Sequence, residues 1–285
     1  NRENIIPQGN VLGGGTSVNS QIYMRGCPQD YNEWNKILRF NNDTASWSWD
    51  DLLPYFVNIE NNSRLDNQFH GKSGPLMVSD SSHIDQLTKD FINTVEELGV
   101  PYTDDFNGSS QSGVGFYQFM NRGGKRSSAA YAFITPEKNN PKLDVKLNSN
   151  IEKIIIEKNK AIGVEYRNSK GELNKKFANK EIILAAGSFI TPKLLMLSGI
   201  GNAAELKYHG IQCIADLPGV GKNLIDHPEC LILAKANGPY GYYKQGVGLR
   251  MIKNGLQFLL FGTGPVNSTG VEGGAFINPI DQDAP

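Results

Sequence analysis

The sequence predicts a mixed α/β fold, and three features lead to this prediction. Residues 143–187 contain several short runs typical of β-strands, interrupted by a polar turn at 169–171. The segment IILAA at 182–186 has no polar alternation, as expected of a strand buried on both faces, and a helix follows it at once. Two further segments, 87–100 and 248–262, are predicted to be helical. Strands and helices mixed along one chain indicate packed α/β layers.

The elements of the β-rich region can be placed more closely. Its strands are predicted at 145–147, 151–156, 161–167 and 181–185. The helix after the last strand is expected to have Thr191 as its N-cap and Pro192 as its first helical residue, and to stop at Gly199.

The helix at 87–100 is predicted to be an amphipathic surface helix. Phe91, Val95 and Leu98 recur at helical spacing, and Gly99 provides a C-terminal stop. Tryptophans on amphipathic segments usually belong to a core or line a groove. The side chains expected in such a core are those of Trp34, Trp47 and Trp49.

Composition bounds the class of protein. The chain has 285 residues, 39% of them hydrophobic, which is enough for one large domain or two ordinary ones. The net charge of −1 gives no reason to expect nucleic acid as a partner, and the pair Lys125-Arg126 is interpreted as a solvated edge. Because no run of about 18 apolar residues occurs, no membrane span is expected.

Cysteine and histidine provide no strong metal signal. Cys27, Cys213 and Cys230 include no close pair, so one disulfide is possible without an assignable pairing. His227 has Cys230 three residues on and Asp226 beside it. It could be a metal ligand, a base or a structural residue, and the structural interpretation is favoured because adjacent side chains on an extended chain point apart. No metal site is predicted.

The usual nucleotide and nucleophile motifs are absent, which leaves GGGTSVN at 13–19 as the main candidate site. The chain contains no G-x-G-x-x-G, no phosphate loop and no G-x-S-x-G elbow. Glycines allow backbone N–H groups to approach a phosphate or a flat ring, but they also serve in a tight turn between core segments. The residues of this loop alone leave both interpretations open.

Four stretches together resemble the glucose–methanol–choline oxidoreductases, a family of flavoproteins. GNVLGGGTSVNSQIYMRGCPQDYNEW at 9–34 resembles their first signature, and GSFITPKLLMLSGIG at 187–201 resembles their second. LPGVGKNLIDHP at 217–228 is similar to the segment that follows it, and FHGKSGPLMVS at 69–79 also fits. The resemblance follows the family's order through nearly the whole chain. The segment around 33–56 looks most like the arthropod glucose-dehydrogenase branch.

The resemblance implies a site for FAD. The first signature would place backbone against the flavin, Thr16 and Asn19 would hydrogen-bond to the cofactor, and Ile22 would line the flavin's edge. Val18 stands where some relatives carry a histidine bonded to FAD, so noncovalent FAD is implied. The remaining implied cofactor-binding residues are Val11, Leu12, Gly13, Gly14, Ile151, Ala186 and Gly187.

Two parts of the family pattern have no counterpart here. The family's N-terminal βαβ unit would precede Asn1, and its catalytic base would follow Pro285, so no catalytic residue is assigned. The implied fold is a three-layer FAD-binding fold with a portion of the substrate domain, incomplete at both ends. FAD-domain portions are expected at 1–75, with the flavin loop and a cap segment, and at 141–230, and substrate-domain portions at 76–140 and 231–285.

The function implied is oxidation of an alcohol or sugar CH–OH group, with hydride passing to flavin N5 and electrons to a quinone, another acceptor or oxygen. Two alternatives are a truncated non-catalytic binding protein on the same scaffold and a relative that cleaves cyanohydrins, like hydroxynitrile lyases. Secretion and glycosylation are expected from four sequons, at Asn42, Asn61, Asn107 and Asn267.

Overall fold

The computed structural model describes residues 3, 5–40 and 44–278, which form two units. The first unit comprises 1–143 and 235–285, and the second comprises 144–234. The helices are α1 (Pro28–Phe40), α2 (Trp49–Ile59), α3 (Gln86–Glu97), α4 (Gly187–Leu197), α5 (Ala203–Tyr208) and α6 (Gly248–Phe261). The four-part domain assignment made from the sequence stays a prediction.

The strands of the first unit are short, and the two longest strands belong to the second unit. They are β1 (Glu60–Asn62), β2 (Leu76–Asp80), β3 (Gly113–Phe116), β4 (Gln118–Phe119), β5 (Asn121–Arg122), β6 (Lys125–Arg126), β7 (Asn150–Glu157), β8 (Lys160–Arg167), β9 (Leu173–Phe177), β10 (Ile200–Gly201), β11 (Ala215–Asp216) and β12 (Gly273–Phe276). Helices and strands are therefore mixed, as the sequence predicts.

The core of the first unit lies on a mixed three-stranded sheet. Strand β1 runs parallel to β2, and β2 runs antiparallel to β4. Tyr23, Leu76, Val78 and Ala132 form its buried apolar cluster, and Met120 packs against it. Tyr23 enters this core because its N–H donates to the carbonyl of Gln118, beside the isolated bridge between Ile22 and Phe119. The sheet thereby fixes the chain directly after the glycine-rich loop.

A tight hairpin carries the segment that follows β4 back towards that loop. Strands β5 and β6 are joined by Gly123 and Gly124, whose φ angles are +58° and +74°. Two-residue hairpin turns of this kind need positive φ at both central residues, which glycine adopts without steric cost. The turn places Arg126 opposite Asn121 in the ladder.

The second unit is built on the antiparallel meander β7–β8–β9. The two sequence-predicted strands at 151–156 and 161–167 are confirmed as β7 and β8, and β9 is an additional strand. Ser198, at the end of α4, joins helix to sheet: its hydroxyl accepts from the N–H of Ile154 at 2.8 Å and donates to the carbonyl of Leu194 at 2.6 Å. This one buried side chain satisfies groups on both elements.

The predicted strands at 145–147 and 181–185 are wrong, because neither segment is a strand in the described chain. A strand needs a neighbour to satisfy its backbone N–H and C=O groups, and neither segment is paired within the described residues. Ile183 is 79% exposed. The apolar character of 182–186 is therefore present without the partner strands that would bury it.

Two helix predictions also need correction. Helix α4 begins at Gly187 rather than after Thr191, and Pro192 lies inside it, where the absent N–H removes one helical hydrogen bond. In α3 the buried residue is Ile92, while Phe91 and Leu98 are exposed. The predicted stops at Gly99 and Gly199 are confirmed, since both follow the helix end with positive φ. Helix α6 lies within the predicted range.

The tryptophans form an aromatic cluster at the surface instead of a core. Trp34 and Trp47 are 51% and 45% exposed. Tyr31 contacts Trp34 edge-on at 5.5 Å between ring centroids and stacks on Trp49 at 5.7 Å. Helices α1 and α2 bring Tyr31, Trp34 and Trp49 together.

Candidate functional site

The glycine-rich loop is a single 3-10 turn over Gly14–Ser17. Gly13 and Gly14 have φ of +91° and +54°, conformations that L-residues with a Cβ adopt only at a cost. Within the described chain the N–H groups of Gly13 and Gly15 donate to no carbonyl, whereas the N–H of Gly14 donates to Val11. The loop therefore presents two unused backbone donors.

The glycines of this region serve two different purposes. A Cβ on Gly9 would lie 2.5 Å from the carbonyl oxygen of Gly14, and a Cβ on Gly13 would clash with the Ser17 hydroxyl oxygen and lie 3.2 Å from Cβ of Ala130, so the protein's own packing favours glycine at both. A Cβ on Gly14 or Gly15 would meet nothing within 4 Å. This open backbone, next to unused N–H donors, fits a flat anionic ligand such as FAD.

The polar side chains of the loop are partly engaged inside the protein. The Thr16 hydroxyl donates to the carbonyl of Gly13 at 2.5 Å and accepts from the N–H of Ala129 at 2.9 Å. Ser17 donates to the carbonyl of Leu12 at 2.8 Å. These bonds shape the loop, so the expected contact of Thr16 with the cofactor stays a prediction.

Asn19 keeps one group unused. Its Oδ1 accepts from the N–H of Gln21 at 3.0 Å and from Nη1 of Arg126 at 2.8 Å. Because two donors hold the oxygen, the amide orientation is fixed, and the Nδ2 group donates no hydrogen bond to any described residue. The side chain therefore has a positioned donor that is unused within the described residues, and its contact with the cofactor stays a prediction.

The apolar residues expected at the flavin flank this loop. Val11 and Leu12 are 56% and 43% exposed, so the loop presents apolar surface beside its polar groups. Ile22, by contrast, is half-buried and bridges to Phe119 in the sheet. The structure thus joins these residues to the loop in the first unit.

The other expected cofactor residues belong to the second unit. Ile151 lies near the start of β7 and is half-buried. Ala186 precedes α4, and its N–H donates to the Thr191 hydroxyl. Gly187 begins α4 with φ of +85° and would tolerate a Cβ sterically, since nothing lies within 4 Å. The cofactor-binding role that the resemblance implies for these three residues stays a prediction.

A buried network of charged side chains includes Arg25, in the segment that follows the glycine-rich loop. The sequence analysis did not predict it. Glu60 and Arg25 form an ion pair at 2.5 Å with side chains 0% and 2% exposed. Glu60 also contacts Nδ1 of His70 at 2.8 Å, and Nε2 of His70 contacts Asp105 at 3.1 Å. The Tyr23 hydroxyl joins the network through Arg25. The charged residues come from separate motifs, so no local signal links them.

This network shifts the pKa values of its members. Burial alone would lower the pKa of His70, but its hydrogen bonds to Asp105 and Glu60 outweigh burial and raise the pKa to about 9. Burial favours a higher pKa for Asp105, but the His70 contact holds that pKa below its usual value. Burial raises the pKa of Tyr23 to about 12. His70 is therefore protonated at neutral pH and paired with two carboxylates. This arrangement indicates a role in stabilising the fold.

The structure assigns no binding site to the other residues considered in the sequence analysis. His227 is exposed, and the N–H of His227 donates to Asp226. The described residues contain no cluster of three or more His, Cys, Asp or Glu placed to hold a metal ion. All three cysteines are free thiols. None of the described helices combines the length and apolar character of a membrane crossing.

Two sequons bear on the expected glycosylation. Asn107 is 5% exposed, and its Nδ2 donates to the carbonyl of Tyr23 at 2.9 Å, so the atom that would carry a glycan is occupied. Asn42 lies outside the described residues. Asn107 therefore serves the packing of the first unit.

Comparison with known proteins identifies the family of the chain. The family model for GMC oxidoreductases matches residues 1–229. An alcohol dehydrogenase [acceptor] from Pseudomonas putida is 37% identical over 277 residues, covering 95% of this chain and 49% of that protein. An oxygen-dependent choline dehydrogenase from Brucella anthropi is 37% identical over 281 residues, covering 97% of this chain and 49% of that protein.

The solved structures agree with the same fold. An FAD-dependent oxidoreductase from Chaetomium thermophilum has a TM-score of 0.82 and 27% identity, covering 93% of this chain and 48% of that one. The chain spans about half the length of the curated relatives it matches. FAD is the cofactor of these proteins' family, as the resemblance implies. With a family model that covers four-fifths of its length and a fold shared with FAD-dependent members, this chain belongs to the GMC oxidoreductases.

Proposed function

We propose that the chain forms the cofactor-holding part of an FAD-dependent oxidoreductase that oxidises the CH–OH group of an alcohol or sugar. The observation that carries the proposal is the open backbone at Gly14 and Gly15: a Cβ added at either position would meet no atom of the described residues within 4 Å. When bound, FAD supplies the hydride acceptor, the N5 atom of its isoalloxazine ring.

The chain's own residues would hold and orient the cofactor noncovalently. The N–H groups of Gly13 and Gly15 are placed to donate to an anionic group, and Asn19 Nδ2 is a second, directed donor. Val11 and Leu12 offer exposed apolar surface for a flat ring. In the second unit, the residues we propose for the cofactor are Ile151, Ala186 and Gly187.

The proposals for the substrate, the electron acceptor and the localisation are supported by the names of the relatives and by the sequence motifs. The relatives are called alcohol and choline dehydrogenases, which supports an alcohol substrate. A sugar such as glucose is supported by the resemblance of 33–56 to the arthropod branch. A quinone or other acceptor is supported by the word acceptor in one relative's name. Secretion is supported by the sequon at Asn61.

Flavin reduction tests the activity directly. The natural protein that contains these residues should bind FAD, and its flavin absorbance should bleach under anaerobic addition of a primary alcohol or glucose. Release of cyanide from a cyanohydrin, with no bleaching by any alcohol, would instead show a hydroxynitrile-lyase reaction. A protein that binds no FAD would contradict the proposal and indicate the non-catalytic alternative.

Gly14→Ala tests the loop itself. Because the new methyl group meets no protein atom, the substitution should lower the free energy of unfolding only by the cost of positive φ, about 1–2 kcal/mol. The methyl group would occupy the open side of the loop, so FAD affinity should fall by about tenfold or more. Binding is measured by the quenching of FAD fluorescence.

Gly248→Ala is the matched control for this substitution. Gly248 has φ of +59° and lies in the same unit, and a Cβ added there would likewise meet nothing within 4 Å. Its alanine variant should lose similar stability and keep the FAD affinity of the unmodified protein. Equal FAD affinities for the two variants would contradict the assignment of the loop.

A further inference from the structure

Arg126 holds the glycine-rich loop at its C-terminal end. Its Nη1 atom donates to the carbonyl of Thr16 at 3.1 Å, to the carbonyl of Asn19 at 2.8 Å and to Oδ1 of Asn19 at 2.8 Å. The sequence suggests a solvated edge for the pair Lys125-Arg126, and for Arg126 this is wrong, since its side chain is half-buried against the loop. One guanidinium thus contacts three oxygens of the candidate cofactor site.

The fold presents Arg126 from a rigid element. The hairpin turn at Gly123 and Gly124 sets the direction of β6, and directly after it Ser127 is buried, with its hydroxyl accepting from the N–H of Met77 at 2.9 Å. Two residues further, the N–H of Ala129 donates to the Thr16 hydroxyl. The segment 126–130 therefore lies along the loop, and Ala130 occupies the space that a Cβ on Gly13 would need, since the two Cβ atoms would be 3.2 Å apart.

The charge of Arg126 has no carboxylate partner within the described chain. Arg25, Arg64 and Arg167 each form an ion pair with an acidic side chain. Arg126 contacts only neutral oxygens, so its positive charge stays uncompensated beside the loop. A positive charge of this kind favours an anionic group at the neighbouring backbone donors.

We propose that Arg126 is a positioning residue of the cofactor site, which acts through Asn19 and the loop backbone. A guanidinium only donates hydrogen bonds, so it can only hold the Asn19 amide by its oxygen. That orientation directs Nδ2 away from Arg126 and leaves it as a donor for the cofactor. The role given to the cofactor rests on the function proposed above, whereas the bracing of the loop does not.

The first experiment measures the loop without any cofactor. Hydrogen exchange by mass spectrometry compares the unmodified protein with the Arg126→Gln, Arg126→Lys and Lys125→Gln variants. Arg126→Gln should raise the exchange of peptides spanning 13–19 by about tenfold or more, because the charge-assisted hydrogen bonding of Nη1 to three loop oxygens is lost. Lys125→Gln removes the same charge one residue away, from an exposed side chain, and should leave the exchange of these peptides unchanged.

The second experiment measures FAD binding by the same four proteins. Arg126→Gln should weaken FAD binding by about 10–100-fold. Arg126→Lys, which keeps the charge but offers a single point of donation, should recover only part of that loss. Lys125→Gln should bind like the unmodified protein. A shifted flavin absorbance band in Arg126→Lys relative to the unmodified protein would mark a changed orientation of Asn19.

The outcomes separate this inference from the proposed function. Loop exchange that is unchanged in Arg126→Gln would overturn the bracing role. Increased loop exchange with unchanged FAD affinity would overturn the positioning role. If the unmodified protein binds no FAD, the proposed function and the positioning role fail together, while the exchange experiment still decides whether Arg126 holds the loop.

Discussion

Replacing Arg25 with methionine is expected to lower the free energy of unfolding by about 3–5 kcal/mol. The Arg25 side chain donates to Glu60, to the Tyr23 hydroxyl and to the carbonyl of Phe69 at 2.7 Å, and it is almost completely buried. Methionine fills a similar volume but removes one of the two cations that face the Glu60 carboxylate, so that protonated His70 alone is left between Glu60 and Asp105. The excess buried negative charge is costly because the protein interior solvates it poorly.

Urea denaturation at pH 7 measures this loss, with Lys36→Met as the matched control. Lys36 pairs with Glu33 at 2.5 Å, but both side chains are mostly exposed, at 72% and 62%. Exposed pairs contribute about 0–1 kcal/mol because water already solvates both charges. If Arg25→Met cost no more than Lys36→Met, the buried network would not be a major source of stability in the first unit.

A loss of stability in mild alkali is the second large effect expected. His70 has a pKa of about 9 in the folded protein, raised from the ordinary value of 6.5. The folded state therefore holds this proton more tightly than the unfolded state does. The resulting stability is fully present below pH 6.5 and is lost as the pH rises through 9. The amount is about 3 kcal/mol.

The measurement is the free energy of unfolding at pH values from about 6 to about 10, in the unmodified protein and in His70→Gln. Glutamine cannot take up a proton, so the variant should be less stable at the acidic end and should lose much less stability as the pH rises through the pKa of His70. His209→Gln, at an exposed position, is the control and should follow the unmodified protein. Parallel curves for His70→Gln and the unmodified protein would show that the pKa of His70 is not raised in the native state.

The fold was predictable where local pattern decides conformation. Strands β7 and β8 form a hairpin that their apolar and β-branched residues indicate, and the helix ends at Gly99 and Gly199 follow from the positive φ that glycine alone adopts easily. At 182–186 the local pattern predicts the wrong conformation. Its composition suits a buried strand, but strand formation depends on a partner, and local composition cannot supply one.

The candidate site shows the same division. The glycine-rich loop and Asn19 were predictable because their residue types carry the chemistry of backbone approach and amide donation. Arg126 and His70 were not, because each acquires its role from residues distant in sequence: Arg126 lies 107 positions from Asn19, and His70 lies 35 from Asp105. A side chain's partners across the fold are set by topology, which the neighbouring residues in the sequence do not encode.

The sequence by itself determined the family, the cofactor and the loop that would hold it, because these depend on contiguous motifs whose backbone requirements are local. Only the tertiary structure decided which glycines are needed for packing and which leave open space, which basic residue braces the loop, and which charges are buried. Those properties depend on what lies opposite a given atom. At Gly13 these are Ser17 and Ala130, whereas a Cβ on Gly14 would meet no atom of the described residues within 4 Å.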